Sequence, residues 1–126
     1  MNLGDRARYS ARTHVGHARA VNEDAILSLP EQSLWVVADG MGGHEAGDYA
    51  SRVICDMVAT MPPDSPPADR LRLLRDLIGR AHDEIRAESV RRNGATIGAT
   101  VAALTMAQEH FACLWAGDSR LYRLRG

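Results

Sequence analysis

The chain has 126 residues, of which 45% are apolar and 25% charged, and its formal net charge is −1 at pH 7. This composition is typical of one globular domain, and a nearly neutral chain has no electrostatic attraction to nucleic acid or to an acidic membrane surface. We find no apolar run of membrane-spanning length and no secretion signal, so we expect a cytoplasmic protein. Cys55 and Cys113 lie in apolar segments without metal-type spacing, and we interpret them as buried thiols in a reducing compartment.

The hydrophobic pattern predicts strands, then two helices, then strands again, in the order β-β-β-α-α-β-β-β without an internal repeat or a flexible linker. The strands are predicted over residues 7–14, 25–29, 33–38, 96–106, 110–117 and 120–125. Apolar residues at three- and four-residue spacing predict a helix over residues 45–60, which ends before the proline-rich stretch MPPDSPP.

A second helix is predicted after that stretch. Ser65 followed by Pro66 has the pattern of a cap and a first turn. The inward side of this helix is predicted from apolar residues at helical spacing, namely Leu71, Leu74, Ile78, Ala81 and Ile85.

The stretch VVADGMGGHEAG, residues 36–47, places one acid, Asp39, between an apolar run and three glycines. We predict that the strand ends at Asp39 and that the chain then breaks at the glycines, where a backbone without Cβ atoms can approach a ligand closely. A dinucleotide-binding turn would require Gly or Ala at the position of Glu45, and a Walker-type phosphate loop would require a lysine, which the chain lacks. These mismatches favour a metal-centred site.

Four acids flank apolar runs at predicted strand ends or turns: Glu23, Asp24, Asp39 and Asp118. An unpaired carboxylate is costly inside a core, so each must meet a cation, an arginine or backbone donors. Hard cations such as Mg²⁺ and Mn²⁺ prefer oxygen ligands of this kind. In the structural alternative, Glu23 and Asp24 only close a turn and Asp39 caps the next helix. Asp118 then forms an Asx-turn, but the glycines are left without a reason.

Three segments carry a family resemblance: VGHARAVNEDA, VVADGMGGHEAGDYAS and GATIGATVAAL…LWAGDSRLYRLRG. In this order they resemble the first half of the type 2C family of metal-dependent protein serine/threonine phosphatases, in its bacterial form, from about Thr13 to Gly126. The resemblance implies an α+β fold, an α/β/β/α sandwich of two antiparallel β-sheets flanked by helices. We expect the sandwich to be incomplete here, with residues 1–126 forming the N-terminal portion of a single phosphatase domain. Two or more Mn²⁺ or Mg²⁺ ions are implied in the complete domain.

The resemblance assigns the central roles to three residues. Asp39 resembles the aspartate that bridges two metals, and Gly40 resembles the residue whose backbone carbonyl binds one of them. Arg19 resembles the arginine that holds the substrate phosphate, for which a planar fork of donors is suited. Asp39 and Arg19 are therefore the predicted catalytic residues, and Asp39 and Gly40 are predicted metal ligands.

Other positions of the pattern have supporting roles. Glu23 resembles the acid that orients metal-bound water, with Asp24 as its partner, and Asp118 resembles an acid that serves an additional metal. Some relatives carry a histidine, which resembles a general acid, directly after the Asp-Gly pair. Met41 occupies that position here and cannot donate a proton, while His44 is equally consistent with an exposed histidine at a helix start.

The implied reaction is hydrolysis of phosphoserine and phosphothreonine proteins by a metal-bridging hydroxide, in a pathway with a cognate serine/threonine kinase. The family pattern continues with two late aspartates that do not occur here, so we expect this chain alone to bind Mn²⁺ weakly and to have little activity. The alternative is a non-catalytic phosphoprotein-binding or regulatory fragment that uses Arg19 for recognition. Uncovered strand edges and sheet faces also predict self-association.

Overall fold

The computed structural model describes residues 8–14, 22–42, 46–107, 110–117 and 121–123. Within these ranges one four-stranded antiparallel sheet, in the order β1-β2-β3-β4, carries two helices on one face. The elements are β1 Asp24–Leu29, β2 Leu34–Gly42, α1 Ala46–Val58, α2 Pro67–Arg91, β3 Ile97–Ala107 and β4 His110–Ala116. A short 3-10 turn, Pro30–Gln32, joins β1 to β2. No helix of this part of the chain is both long enough and apolar enough to cross a membrane.

Alternation along β2 defines the two faces of the sheet. Leu34, Val36 and Ala38 are buried against the helices, on what we call the helix face, whereas Val37 and Met41 are exposed on the opposite, open face. The core on the helix face is completed by apolar residues of α1, α2 and β3, namely Ala50, Ile54, Val58, Leu74, Leu77, Ala81, Ile85, Val101 and Ala103. The helices therefore bury one side of the sheet and leave the other side open in the described residues.

β2 is longer than its sequence pattern predicts. The prediction that the strand ends at Asp39 and breaks at the glycines is wrong, because β2 continues to Gly42. Gly40 pairs with Ala99 of β3, and Gly42 pairs with Ile97. Pairing with β3 therefore keeps these glycines in the strand, although glycine by itself has a low tendency to form strands. The third glycine of the motif, Gly43, lies outside the described residues.

Two predicted strands are absent where the structure describes them. Residues 8–14 have no regular secondary structure, and neither do residues 121–123 of the predicted strand 120–125. A strand requires a paired neighbour, and residues 8–14 pair with no strand of the described sheet. The ring of Tyr9 contacts that of Trp35, with 5.8 Å between the ring centroids.

The second helix begins later than predicted. It starts at Pro67, and the Ser65 hydroxyl donates to the carbonyl oxygen of Pro62 at 2.7 Å instead of capping the helix. Three residues of the predicted inward stripe are buried, while Leu71 and Ile78 are half-buried and Leu77, which the pattern missed, is buried. The stripe is therefore rotated slightly toward Leu77.

The two cysteines differ in environment. Cys55 on α1 is buried, as predicted, but Cys113 on β4 is only half-buried, because its pairing with Leu104 places it on the open face. Both are free thiols.

Candidate metal centre

Two carboxylates face each other where β1 begins. Asp24 is the register partner of Asp39. The Gly40 amide donates to the Glu23 carbonyl at 3.0 Å, so the adjacent pair Asp24–Asp39 is a non-hydrogen-bonded pair, in which the side chains of antiparallel strands come closest. Like charges directly opposite each other destabilise a sheet, and a cation between them removes the repulsion. This register favours a cation site.

A cavity of about 260 Å³ opens beside the two carboxylates on the open face. Its lining combines the segment before β1 with residues of β1 and β2, namely Arg12, Thr13, His14, Asp24, Ala25, Ile26, Val37, Ala38 and Asp39. The cavity thus brings basic side chains of one segment next to acidic side chains of the sheet. An anionic group that enters it would meet cationic donors on one side and metal-binding oxygens on the other.

Asn22 connects this segment to the sheet. Its side-chain amide nitrogen donates to the Thr13 hydroxyl at 2.8 Å, and its side-chain oxygen accepts from the Asp24 amide at 3.0 Å. The second contact is an Asx-turn, which sets the direction in which the chain enters β1. Sequence reasoning did not assign this role to Asn22, although its position two residues before Asp24 is an Asx-turn signal.

Glu23 lies on the helix face, where α1 begins. Its Oε2 atom is buried and has no hydrogen-bond partner within the described residues. A Cβ built on Gly47 would overlap this atom, and a Cβ on Gly40 would overlap the Gly47 carbonyl oxygen. The glycines at positions 40 and 47 therefore allow β2, the first turn of α1 and the Glu23 carboxylate to meet without side chains between them.

The structure brings together four of the six predicted site residues: Glu23, Asp24, Asp39 and Gly40. Asp39 lies inside β2, which continues to Gly42, so it does not cap α1, which begins at Ala46. Arg19 and Asp118 lie outside the described residues, as does His44. Met41 is exposed on the open face, and the roles assigned to all these residues stay predictions.

The oxygens at this end of the sheet are of the kind that a hard cation requires. Asp24 and Asp39 supply carboxylates on the open face and Gly40 supplies a backbone carbonyl. The buried Glu23 Oε2, an acceptor without a donor in the described chain, lies behind them on the helix face. The residues present therefore fit Mn²⁺ or Mg²⁺. The described residues contain no cluster of three or more His, Cys, Asp or Glu side chains that could hold a metal by itself, so this set of ligands is partial.

Comparison with known proteins identifies the class. Residues 13–126 match the family model of protein phosphatase 2C, and the chain belongs to this family. It is 34% identical over 119 residues to the serine/threonine protein phosphatase PstP of Mycobacterium tuberculosis, and this match covers 94% of this chain and 23% of that protein. It is 36% identical over 124 residues to the serine/threonine phosphatase stp of Listeria monocytogenes, and this match covers 90% of this chain and 48% of that protein.

Solved structures show the same similarity. PppA, described as a key regulatory component of T6SS in Pseudomonas aeruginosa, superposes with a TM-score of 0.85 at 47% identity and covers 90% of this chain and 49% of its own. The catalytic domain of PstP in complex with 2 manganese ions superposes with a TM-score of 0.80 at 33% identity. That match covers 90% of this chain and 49% of the PstP chain. This chain therefore spans about half of each solved chain. The predicted fold class, a sandwich that is incomplete in this chain, is confirmed by these neighbours.

Proposed function

We propose that this chain is the part of a metal-dependent protein serine/threonine phosphatase that carries the metal-bridging aspartate. The observation that supports the proposal most directly is the register pair Asp24–Asp39, two carboxylates opposed on the open face beside a cavity. The solved PstP catalytic domain, to which the chain is similar, contains two manganese ions.

In this proposal Asp39 and the Gly40 carbonyl hold metal, while Asp24 lies across the strand pair and adds negative charge. Mn²⁺ or Mg²⁺, when bound, would act as a Lewis acid that polarises a phosphoryl oxygen and would lower the pKa of a water molecule, so that this water could lose a proton and act as a nucleophile at neutral pH. Asp118 is proposed to serve an additional ion. The Glu23 carboxylate, buried at the first turn of α1, lies on the other side of the strand.

The phosphate group is proposed to be held by arginine. Arg19 is the residue assigned by resemblance, and Arg12 lines the cavity that also contains Asp39. A guanidinium group donates two parallel hydrogen bonds to a phosphate, which positions the phosphorus for in-line attack. Met41 offers no proton to the leaving serine or threonine oxygen, so the proton must come from another group.

The proposed substrates are phosphoserine and phosphothreonine proteins, modified by a cognate kinase. The cavity lies on the exposed side of the sheet, where a phosphorylated side chain of a protein can enter. We also propose a cytoplasmic enzyme. Two free thiols, with no disulfide between Cys55 and Cys113, agree with a reducing compartment.

The test is Mn²⁺-dependent hydrolysis of a phosphothreonine peptide by the complete protein and by its Asp39→Asn variant. Asp56→Asn is the matched control, because it removes the same charge from an exposed position of α1. We expect Asp39→Asn to lower kcat/KM by about 100-fold or more and Asp56→Asn to leave it unchanged. Equal activity of all three proteins would refute the role of Asp39. Phosphopeptide binding without turnover by the unmodified protein would favour the non-catalytic alternative instead.

The 126-residue chain is tested separately in the same assay. Because its described ligand set is partial, we expect weak Mn²⁺ binding and little turnover. Micromolar Mn²⁺ binding by this chain that Asp39→Asn abolishes would contradict that expectation.

A further inference from the structure

The hydroxyl of Ser51 lies behind the candidate metal centre. Ser51 is in the second turn of α1, its side chain is fully buried, and its Oγ is 2.6 Å from the Glu23 carbonyl oxygen. The same Oγ is 3.2 Å from the carbonyl oxygen of Asp48. A hydroxyl has one proton, so the shorter contact, to Glu23, is the stronger hydrogen bond.

The Glu23 carbonyl oxygen receives two hydrogen bonds, one from Ser51 and one from the Gly40 amide at 3.0 Å. A carbonyl oxygen has two lone pairs, so both donors can be accommodated. One donor belongs to α1 and the other to β2. This single oxygen therefore joins the start of β1 to the helix layer and to the neighbouring strand.

That carbonyl is part of the peptide group between Glu23 and Asp24. Because a peptide group is planar, fixing its oxygen also fixes the directions in which the chain leaves toward both residues. Asp24 then faces Asp39 on the open face, while the Glu23 carboxylate lies against Gly47. The Ser51 hydroxyl is therefore one of the groups that set the positions of both acids, and the one that α1 supplies.

We propose that Ser51 is a positioning residue of the metal centre, which holds the Glu23–Asp24 peptide so that Asp24 faces Asp39 on the open face and the Glu23 carboxylate lies against Gly47 on the helix face. This inference rests on the proposed function, because it assumes that the acids bind or orient a metal. In this proposal Ser51 touches neither substrate nor metal. It acts through the peptide group.

The experiment measures Mn²⁺ affinity of the complete protein by calorimetry for Ser51→Ala and for Ser65→Ala. Ser65 is a matched control, since it is also a buried serine whose hydroxyl donates to a main-chain carbonyl, at 2.7 Å, but in the loop between α1 and α2. We expect Ser51→Ala to lower Mn²⁺ affinity by about 10- to 100-fold, the range found when groups that orient metal ligands are removed. Ser65→Ala should leave the affinity unchanged.

A second readout needs no metal. In the metal-free protein, loss of the Ser51 hydroxyl should speed hydrogen exchange of the Gly40 amide, which shares its acceptor, relative to the Val36 amide in the same strand. If Ser51→Ala does not fold, Ser51→Cys keeps a weaker donor of similar size, and the same changes should appear at smaller amplitude.

The outcomes separate the two proposals. Unchanged Mn²⁺ affinity and unchanged Gly40 exchange in Ser51→Ala, in a protein whose Mn²⁺ binding is lost in Asp39→Asn, would overturn the positioning role alone. An unmodified complete protein that binds no Mn²⁺ would overturn the proposed function and this inference with it.

Discussion

Gly47 of α1 lies directly against the carboxylate of Glu23, so closely that a Cβ at this position would overlap the Oε2 atom. Gly79 of α2 is the opposite case, because a Cβ there would have no heavy atom within 4 Å. Both glycines are inside helices, where glycine is a poor choice by intrinsic propensity. The pair therefore separates a glycine required by packing from one that is not.

We predict that Gly47→Ala and Gly79→Ala change stability in opposite directions. The Gly79→Ala variant should gain about 0.5 to 1 kcal/mol, since alanine loses less backbone entropy in a helix. The Gly47→Ala variant should lose about 1 to 3 kcal/mol, because the overlap forces α1 or Glu23 to move. Urea unfolding of the two variants measures both effects, and a stabilised Gly47→Ala would contradict the contact.

The opposed carboxylates Asp24 and Asp39 predict a coupling that depends on metal. In EDTA we expect the effects of Asp24→Asn and Asp39→Asn on stability to be non-additive by up to about 1 kcal/mol, because either substitution removes the like-charge repulsion within the cross-strand pair. In Mn²⁺ the Asp24→Asn variant should be less stable than the unmodified protein, since the bound ion stabilises only the folded chain and binds the variant more weakly.

A double-mutant cycle with Asp39→Asn tests this coupling. The measurement is thermal unfolding of the complete protein with and without Mn²⁺, and Asp56→Asn is again the control for a lost surface charge. Effects of Asp24→Asn and Asp39→Asn that simply add in EDTA would mean that the two carboxylates do not repel each other.

Sequence patterns predicted the parts of the fold that depend on local signals. The proline-rich break between the helices and the apolar spacing of α1 are such signals, and both were placed within two residues of their observed bounds. The pattern failed at Gly40 and Gly42, because pairing with β3 overrides the low strand propensity of glycine. It also failed at residues 8–14, where an alternating sequence has no strand partner in the described structure.

The candidate site was predictable in its acids but not in their supports. Asp24, Asp39 and Gly40 follow from motifs that are contiguous in sequence. The contact between Ser51 and Glu23 spans 28 positions and depends on how α1 packs over β1, which no local pattern encodes. The need for glycine at position 47 could not be predicted either, because it comes from the side chain of Glu23, 24 positions earlier, which reaches Gly47 only in the folded chain.

The two cysteines should differ in reactivity with an aromatic disulfide reagent. Burial, with a smaller contribution from the charge of Asp56, raises the pKa of Cys55 from 9.0 to about 11. At pH 8 its thiolate fraction is then very small and its access is restricted, whereas the half-buried Cys113 is reachable from the open face. We expect fast labelling of Cys55→Ser, in which Cys113 remains, and slow labelling of Cys113→Ser. Equal rates would contradict the burial of Cys55.

The same shift makes stability depend on pH at the alkaline side. The Cys55 pKa in the folded chain lies above its unfolded value of 9.0, so deprotonation favours the unfolded chain. The contribution of Cys55 to the free energy of unfolding is constant below pH 9, declines between pH 9 and about 11, and then levels off. Urea unfolding at pH 8 and at pH 10.5 should therefore show a smaller loss of stability in Cys55→Ser than in the unmodified chain. An identical loss would assign the alkaline decline to other groups.

The open face of the sheet should mediate self-association of the 126-residue chain. Phe111 and Trp115 of β4 are 48% and 64% exposed, and Val37 of β2 is 44% exposed on the same face. Large apolar side chains exposed side by side on a sheet are typical of surfaces that another protein layer covers. Trp115→Arg should therefore shift the chain toward monomer, because it places a charge in the contact.

Val90→Arg is the matched control for this surface. Val90 is 76% exposed near the end of α2, on the helix side of the molecule, so the same change in charge should leave the association state unaltered. Size-exclusion chromatography with light scattering at several concentrations measures both variants. If the unmodified chain is a monomer at every concentration, the open face is not an association surface; if Val90→Arg also gives monomers, net charge and not the open face controls association.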